Sequence, residues 1–384
     1  MISLTYPTTR IASQAGLVSA TWIQTAGSHD IIRAVYSRAD FAEPLFRGAP
    51  VKAEWSTTSG TITLCGYVHR VDPSYGKSDS CAVTIVGPSW PLQRSGEGVW
   101  TDVTASSVVR DIAFQFGLSV DVEEHPVVLP QVMQAGRSYW QLLRQLSADT
   151  GYVLRMSGDT LVFRSRRSLV EHFRPISPAM EVRAFSPKLG DFTPELGAAR
   201  ATRRAYGIDL EQGSIVTDFS DLQPLRGDSE VFGTALVPGA VSHSPLEAEC
   251  AVEAALEANR FTQLARMECD GAPQLVPERT VWPVGIPSQL AGHWVVRAVE
   301  HRFDGAKEYT VATVGTDGLG GSLDLMGEAP PTMGAAIDPH RPSALSKWPY
   351  SEPVLCTLNA VTGSPGVALR DYAWVASSTT ARTA

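Results

Sequence analysis

The sequence predicts a mainly β protein with an α+β unit set into it, on three observations. Short β-branched and aromatic runs, cut by turn residues, fill residues 1 to about 90. Helical spacing replaces them after Pro91, and strand signals return from about residue 168. Short strands at close intervals read as an antiparallel sheet or barrel, and the change of period marks a unit of another kind. The composition agrees: Gly (32) and Pro (26) make about 15% of 384 residues, too little for collagen or a disordered tract and suited to a turn-rich fold.

In the first segment, Ile31 to Tyr36 and Val51 to Trp55 carry β-branched and aromatic residues, and Thr61 to Val68 alternates polar and apolar until Gly66. Ala82 to Val86 repeats the signal and stops at Gly87-Pro88. Ser59-Gly60, Asp72-Pro73 and Tyr75-Gly76 supply the turns.

From Thr104, apolar residues at 108, 109, 112, 113 and 116 fall on one helical face, and Gly117 stops the helix. Leu118 to Val122 alternates as a short strand. A second helix starts at Ser138 with Gln141 three places on, a capping box, and ends near Gly151. Tyr152 to Met156 and Thr160 to Phe163 flank Ser157-Gly158-Asp159 as a hairpin. Arg164-Ser165-Arg166-Arg167 is expected to be a solvated turn, with phosphate contact as its other reading.

Strands are expected at Glu181–Phe185, Gly197–Gly207, Gly213–Thr217, Met267–Asp270, Gln274–Val276, Trp294–Phe303 and Glu308–Val314. The last two form a hairpin across Asp304 to Lys307. One long helix, 244–266, interrupts them: Ser244 is its N-cap, Pro245 its first residue, and Glu247 completes a capping box. The expected organisation is therefore a first β segment (1–90), an α+β insert (91–167), a second β segment (168–325), and a Gly- and Pro-rich linker with a C-terminal arm (326–384). The arm carries two short strand-like runs, Val354 to Leu358 and Tyr372 to Val375.

Charge and motifs exclude several classes. A net charge of −8 argues against a protein that grips DNA phosphates, though not against one past which nucleic acid slides. The five cysteines make no C-x-x-C pair and read as reduced thiols. The N-terminus shows no signal-peptide pattern, and no apolar run is long enough to span a membrane. A soluble protein made in a cytoplasm, without stable membrane insertion, is expected. No zinc-protease, serine-hydrolase or P-loop motif occurs, and no cofactor is implied.

The remaining candidates for chemistry read as structure. Glu123-Glu124-His125 sits in an extended stretch whose neighbours point to opposite faces, so its carboxylates are not expected to converge. His301, beside Glu300, is expected to pair with a cross-strand acid. Asp317 to Gly321 is Gly-rich without a following helix, and His243 and His340 have no metal-ligand spacing. Arg203-Arg204 is expected at a strand end, and Trp140 with Leu143 and Leu146 as a helix packing face. No catalytic, metal or cofactor residue is assigned. Trp348, Tyr350 and Trp374 lie in a tail with little core of its own, where contact with a partner and local self-packing both stay open.

The order of parts resembles the bacteriophage tail-hub family, which includes the late control protein D type and the hub domain of type VI secretion spikes. The resemblance spans about 1–325 and is carried by the helices T-x-x-x-V-V-R-D-I-A-x-x-x-G-L (from Thr104) and S-x-W-Q-L-L-R-Q-L-S-A-D-T-G-Y (from Ser138), the hairpin V-L-R-M-S-G-D-T-L-V-F, and H-W-V-V-R-A-V-E-H-R-F-D-G-A-K-E-Y-T-V-A-T-V (from His293). These are packing signatures. The resemblance implies two related β-barrel domains per chain, and a homotrimer forming a ring of pseudo-sixfold symmetry. It implies a structural, non-enzymatic virion protein of the tail tip or baseplate, assembled in the host cytoplasm. Such a hub joins a sixfold tail tube to a threefold tip and forms a channel for tape measure protein and DNA. Its implied partners are distal tail or tube ring proteins, the tape measure, and a tip or central fibre protein, with DNA passing without specific binding. Edge strands pairing between subunits would close the ring and remove exposed edges. No spike domain or wall-hydrolase motif follows residue 325, a departure from family members that carry them. The alternatives are the hub of a contractile injection or secretion system, a cell-wall hydrolase, and a receptor-binding module.

Overall fold

The structure is a computed structural model that describes residues 2–6, 11–12, 16–37, 46–57, 60–76, 79–188, 202–208, 213–220, 234–258, 260–261, 263–287, 290–305 and 307–316. The candidate contacts Trp348, Tyr350 and Trp374, the 317–321 loop and His340 lie outside the described residues.

The first region holds seven strands: β1 (Ile2–Tyr6), β2 (Ile11–Ala12), β3 (Leu17–Thr25), β4 (Ile31–Tyr36), β5 (Pro50–Thr57), β6 (Gly60–Ser74) and β7 (Ser80–Val86). They pair in the order β3-β4-β7-β6-β5-β1-β2, every contact antiparallel. Alternation sends Ala20 and Trp22, Ile32, Ala34 and Tyr36, and Val83 and Ile85 to one buried face. On that face Tyr6 and Tyr36 meet hydroxyl to hydroxyl at 3.2 Å, one donating and the other accepting, so each buried oxygen has a hydrogen-bond partner. Gly66 is required where β6 crosses β7, because a Cβ there would stand 2.2 Å from the Val86 carbonyl oxygen.

The insert holds β8 (Val99–Thr104), α1 (Ala105–Gln115), β9 (Ser119–Val122), β10 (Val128–Met133), α2 (Tyr139–Thr150), β11 (Tyr152–Ser157), β12 (Thr160–Ser165) and α3 (Arg166–Phe173). Thr104 caps α1, its side chain accepting from Ser107 N–H at 3.2 Å. The Ser138–Gln141 box caps α2 with bonds of 3.1 and 2.9 Å, satisfying orphan donors at the helix start. Leu143 and Leu146 of α2, Val108 and Ile112 of α1, and Leu161 and Phe163 of β12 share one core.

The second region comprises β13 (Ala179–Glu181), β14 (Ala184–Lys188), β15 (Thr202–Ile208), β16 (Ile215–Ser220), β17 (Thr234–Ser242), α4 (Pro245–Ala258), β18 (Gln263–Asp270), β19 (Thr280–Val284), β20 (Trp294–Asp304) and β21 (Lys307–Thr316). β13 runs parallel to β19, and β14, two residues on, runs antiparallel to β18. Between them the Val182 N–H donates to Val284 O and the Arg183 N–H to Glu268 O. One stretch of chain thus joins both ends of the β18-β21-β20-β19 ladder and closes it around Met267, Val281, Trp294, Val299 and Val314. A smaller sheet, β16-β15-β17, packs on α4.

β20 joins the two regions. Its first two residues pair with β19; past a bulge between Val296 and Ala298 the same strand pairs with β3 from Ala298 to Asp304. Both regions therefore lie in one 13-stranded sheet. That sheet is curled: β5 is five strands from β20 in pairing order, yet Trp55 of β5 packs its ring 4.6 Å from His301 of β20 and donates to Glu308 of β21 at 3.1 Å.

Several local expectations change. The long helix expected at 244–266 ends at Ala258, and β18 begins at Gln263. Leu264 and Arg266 there are exposed and Glu268 half-buried, while Ala265, Met267 and Cys269 are buried, an alternation hidden behind an Ala- and Leu-rich composition. Gln274 to Val276 forms no strand: Gln274 is in a turn and Leu275 and Val276 follow it as irregular chain, both buried. The strand expected at Glu181 to Phe185 splits into β13 and β14.

Candidate functional site

The residues singled out for chemistry go to separate places. Glu123 caps α3: its carboxylate accepts from Ser165 N–H at 3.1 Å and from Ser168 Oγ–H at 2.6 Å, favourable at a helix start. Glu124 turns to the other helix, 2.7 Å from Thr104 Oγ1 and 2.6 Å from Arg110, and hydrogen bonding to Thr104 and Arg110 holds it below its ordinary value. His125 is buried against Tyr152, which lowers its pKa. His301 does not pair with an acid. Its cross-strand neighbour is Thr310, whose Oγ1 lies 3.0 Å from Nδ1, and burial pushes the imidazole down to about 3. Glu300 pairs instead with Arg302 at 2.8 Å. His243 lends its N–H to Glu247 at 2.6 Å in the α4 cap. Arg203 and Arg204 lie in β15, and Trp140 is buried in the insert core. Cys65, Cys81, Cys250 and Cys269 are free thiols. Among the described residues no group of three potential ligands could hold a metal ion, and no helix is long and apolar enough to cross a membrane.

The tract Arg164-Ser165-Arg166-Arg167 is not a solvated turn. Ser165 caps α3, which carries Leu169, Val170 and Phe173 on its buried face and an Arg167–Glu171 pair on its exposed one. That i, i+4 pair and the Ser N-cap were present in the sequence and mark the helix. Arg166 enters the structure, 2.7 Å from Glu257 at the end of α4 and 3.0 Å from Glu278 beside β19. Arg297 of β20 reaches the same Glu278, and Arg260 the same Glu257. The Phe261 ring lies under both Arg166, at 5.2 Å, and Arg297, at 4.6 Å. Glu278 is fully buried, so each of its oxygens needs a cation. This network locks insert, α4 and second region together.

A second dock joins the insert to the first region. The β3–β4 turn reaches over, and the Gly27 N–H donates to Leu154 O of β11 at 2.7 Å. His29 packs its ring 4.5 Å from Trp140, with Nδ1 2.7 Å from Ser89 Oγ and Nε2 on Gln93. Burial and the charge of Arg144 push His29 down to about 4. Next to it Asp30 accepts from Gln24 at 2.8 Å; burial pushes its carboxyl up to about 6 against the pull of Gln24, Trp22 and Arg155.

The chemistry-bearing residues are thus spent on holding parts together. A curled sheet continuous through two β regions, clamped at two places to an α+β insert, defines a class of structural scaffold. The sequence pattern of the phage tail baseplate hub family (GPD) matches residues 31–306, and the chain belongs to that family, whose role is structural. No curated protein matches it. Among solved structures it is similar to the 43 kDa tail protein of prophage MuSo2 from Shewanella oneidensis (14% identity, 83% of this chain and 98% of that one, TM-score 0.60). It is also similar to a tail protein of Neisseria meningitidis MC58 (10%, 83% and 97%, TM-score 0.58). A third similar structure is the E. coli c3393 protein, a component of the type VI secretion system (12%, 82% and 76%, TM-score 0.51). At these identities the likeness is one of fold.

Proposed function

We propose that this chain is the hub at the tip of a phage tail, a structural and non-enzymatic virion protein that joins the sixfold tail tube to a threefold tip. The observation that carries this reading is the family match over 31–306, which takes in strands of both β regions and the whole insert. In this reading three copies form a ring whose two β regions per chain give pseudo-sixfold symmetry, around a channel for tape measure protein and DNA. The net charge of −8 suits a wall that DNA passes without adhering. The division into 1–90, 91–167, 168–325 and 326–384 is part of the proposal.

In this reading edge strands of neighbouring copies pair with one another, which closes the ring and covers exposed edges. Trp348, Tyr350 and Trp374 of the C-terminal arm are proposed contacts to a tube ring, tip or central fibre protein. A hub of a contractile injection or secretion system is the second reading, favoured by the likeness in fold to the type VI component.

Imaging particles that carry this protein tests the proposal: threefold density at the tube end is the expected result, and absence of the chain from purified particles overturns it. A surrounding sheath identifies the contractile reading. The purified chain is expected to clear no peptidoglycan in a zymogram; lysis abolished by one carboxylate substitution makes it a hydrolase.

A further inference from the structure

A small polar cavity lies where the first region, the insert and the second region meet. Trp22, Gln24 and Asp30 line it from the β3–β4 hairpin, Arg155 and Ser157 from β11, and Val276 from the second region. The room for the centre of a water-sized sphere inside it is about 20 Å³. A buried water needs roughly 10–15 Å³ by that measure and two to four polar partners. Four side-chain atoms of the lining residues lack a partner: Arg155 Nε, Gln24 Oε1, Ser157 Oγ and Trp22 Nε1, the last on the Asp30 side. Arg155 is 3% exposed and Gln24 8%, so bulk solvent does not satisfy them. A buried polar atom without a partner costs free energy that a bridging molecule recovers.

The field at the cavity selects the ligand. Arg155 supplies one positive charge, and Asp30, Asp121 and Glu278 act on it with three negative ones. An anion meets that excess of carboxylate, and a cation meets the guanidinium. A small neutral molecule able to both donate and accept fits.

We propose that the cavity is a built hydration site whose ligand is one internal water, accepting from Arg155 Nε–H, donating to Gln24 Oε1, and sharing a third hydrogen bond with Ser157 Oγ. The site goes beyond the hub role and does not depend on it. The water connects a residue of the β3–β4 hairpin to two residues of β11, at the same joint where Gly27 donates to Leu154. Water-mediated bonds serve a joint nearly as well as direct ones.

Crystals of the full chain, soaked in bromide and measured at the bromine edge, test the assignment. The expected result is density at hydrogen-bond distance from Arg155 Nε, Gln24 Oε1 and Ser157 Oγ with no anomalous signal. A bromide peak there, or a dry cavity, overturns it. In solution, oxygen-17 relaxation dispersion counts long-lived internal waters. Ser157→Ala, which removes a partner without touching either charge, is expected to lose one of them or to shorten its residence markedly. An unchanged count and residence overturns the proposal. Circular dichroism confirms that the variant is folded.

Discussion

The insert is held at two docks built on opposite electrostatic principles. At the dock with the second region, Arg166, Arg260 and Arg297 meet Glu257 and Glu278 beneath the Phe261 ring, and every one of these groups carries charge. At the dock with the first region, His29 is held neutral by burial and Asp30 is pushed towards neutrality. A charge network is strong only while complete, since removing one partner leaves the others buried and unpaired. A dock whose ionisable groups titrate at about 4 and about 6 responds to pH. The first is a rigid weld and the second a titratable one.

The largest expected effect falls on the charged dock. Glu278→Ala strands two guanidiniums and is expected to cost about 3–5 kcal/mol in denaturant unfolding. Gly151→Ala comes next. Gly151 ends α2 at φ +70°, and a Cβ there would stand 2.8 Å from Ala254 Cα of α4. The left-handed backbone alone costs about 1–2 kcal/mol, and α4 must also shift, which a reduced melting temperature reports. Asp30→Asn at the other dock keeps the Gln24 contact and is expected to cost about 1 kcal/mol; a loss equal to that of Glu278→Ala breaks the contrast between the docks. Ser138→Ala removes the α2 cap for a similar cost of about 1 kcal/mol.

The pH response sharpens the same contrast and is the smallest effect. His29 and His301 fall from an ordinary 6.5 to about 4 and about 3 in the folded chain. The unfolded state therefore binds more protons over that range, and the stability they contribute, full above pH 6.5, is lost as pH drops. Asp30, raised from 3.8 to about 6, works the other way: its contribution is full below 3.8 and lost as pH rises through 6. With His125 lowered as well, the histidines outweigh Asp30 and leave a net fall on acidification, on the order of a few degrees in melting temperature between pH 6.5 and 4.5. Replacing Asp30 by Asn removes the opposing contribution and is expected to steepen that fall; an unchanged slope contradicts the assignment.

Much of this fold was legible because its signals are local. The capping box at Ser138, the helical spacing after Thr104 and the hairpin turns at Gly158 and Asp304–Lys307 each sit within a few residues. The sites were less legible because their partners are far apart in sequence. Arg166 and Glu278 are 112 residues apart, and nothing near either announces the other. Helix α3 differs from the expected turn although its cap and i, i+4 pair stand in the sequence, since a run of arginines reads as surface. The helix expected at 244–266 stops short at Ala258 because Ala- and Leu-rich composition masks the alternation of the short strand that follows. The joining of both β regions through β20 depends on register, which the sequence of either strand alone does not specify.

In the proposed role this chain builds a collar on a tail tube, and symmetry within the intact particle tests that role most directly. Electron cryomicroscopy of virions, with this chain located by a tag on its C-terminal arm, is predicted to give three copies around the axis at the distal end of the tube. Tagged chains found singly, off the axis, or only outside the particle contradict the account.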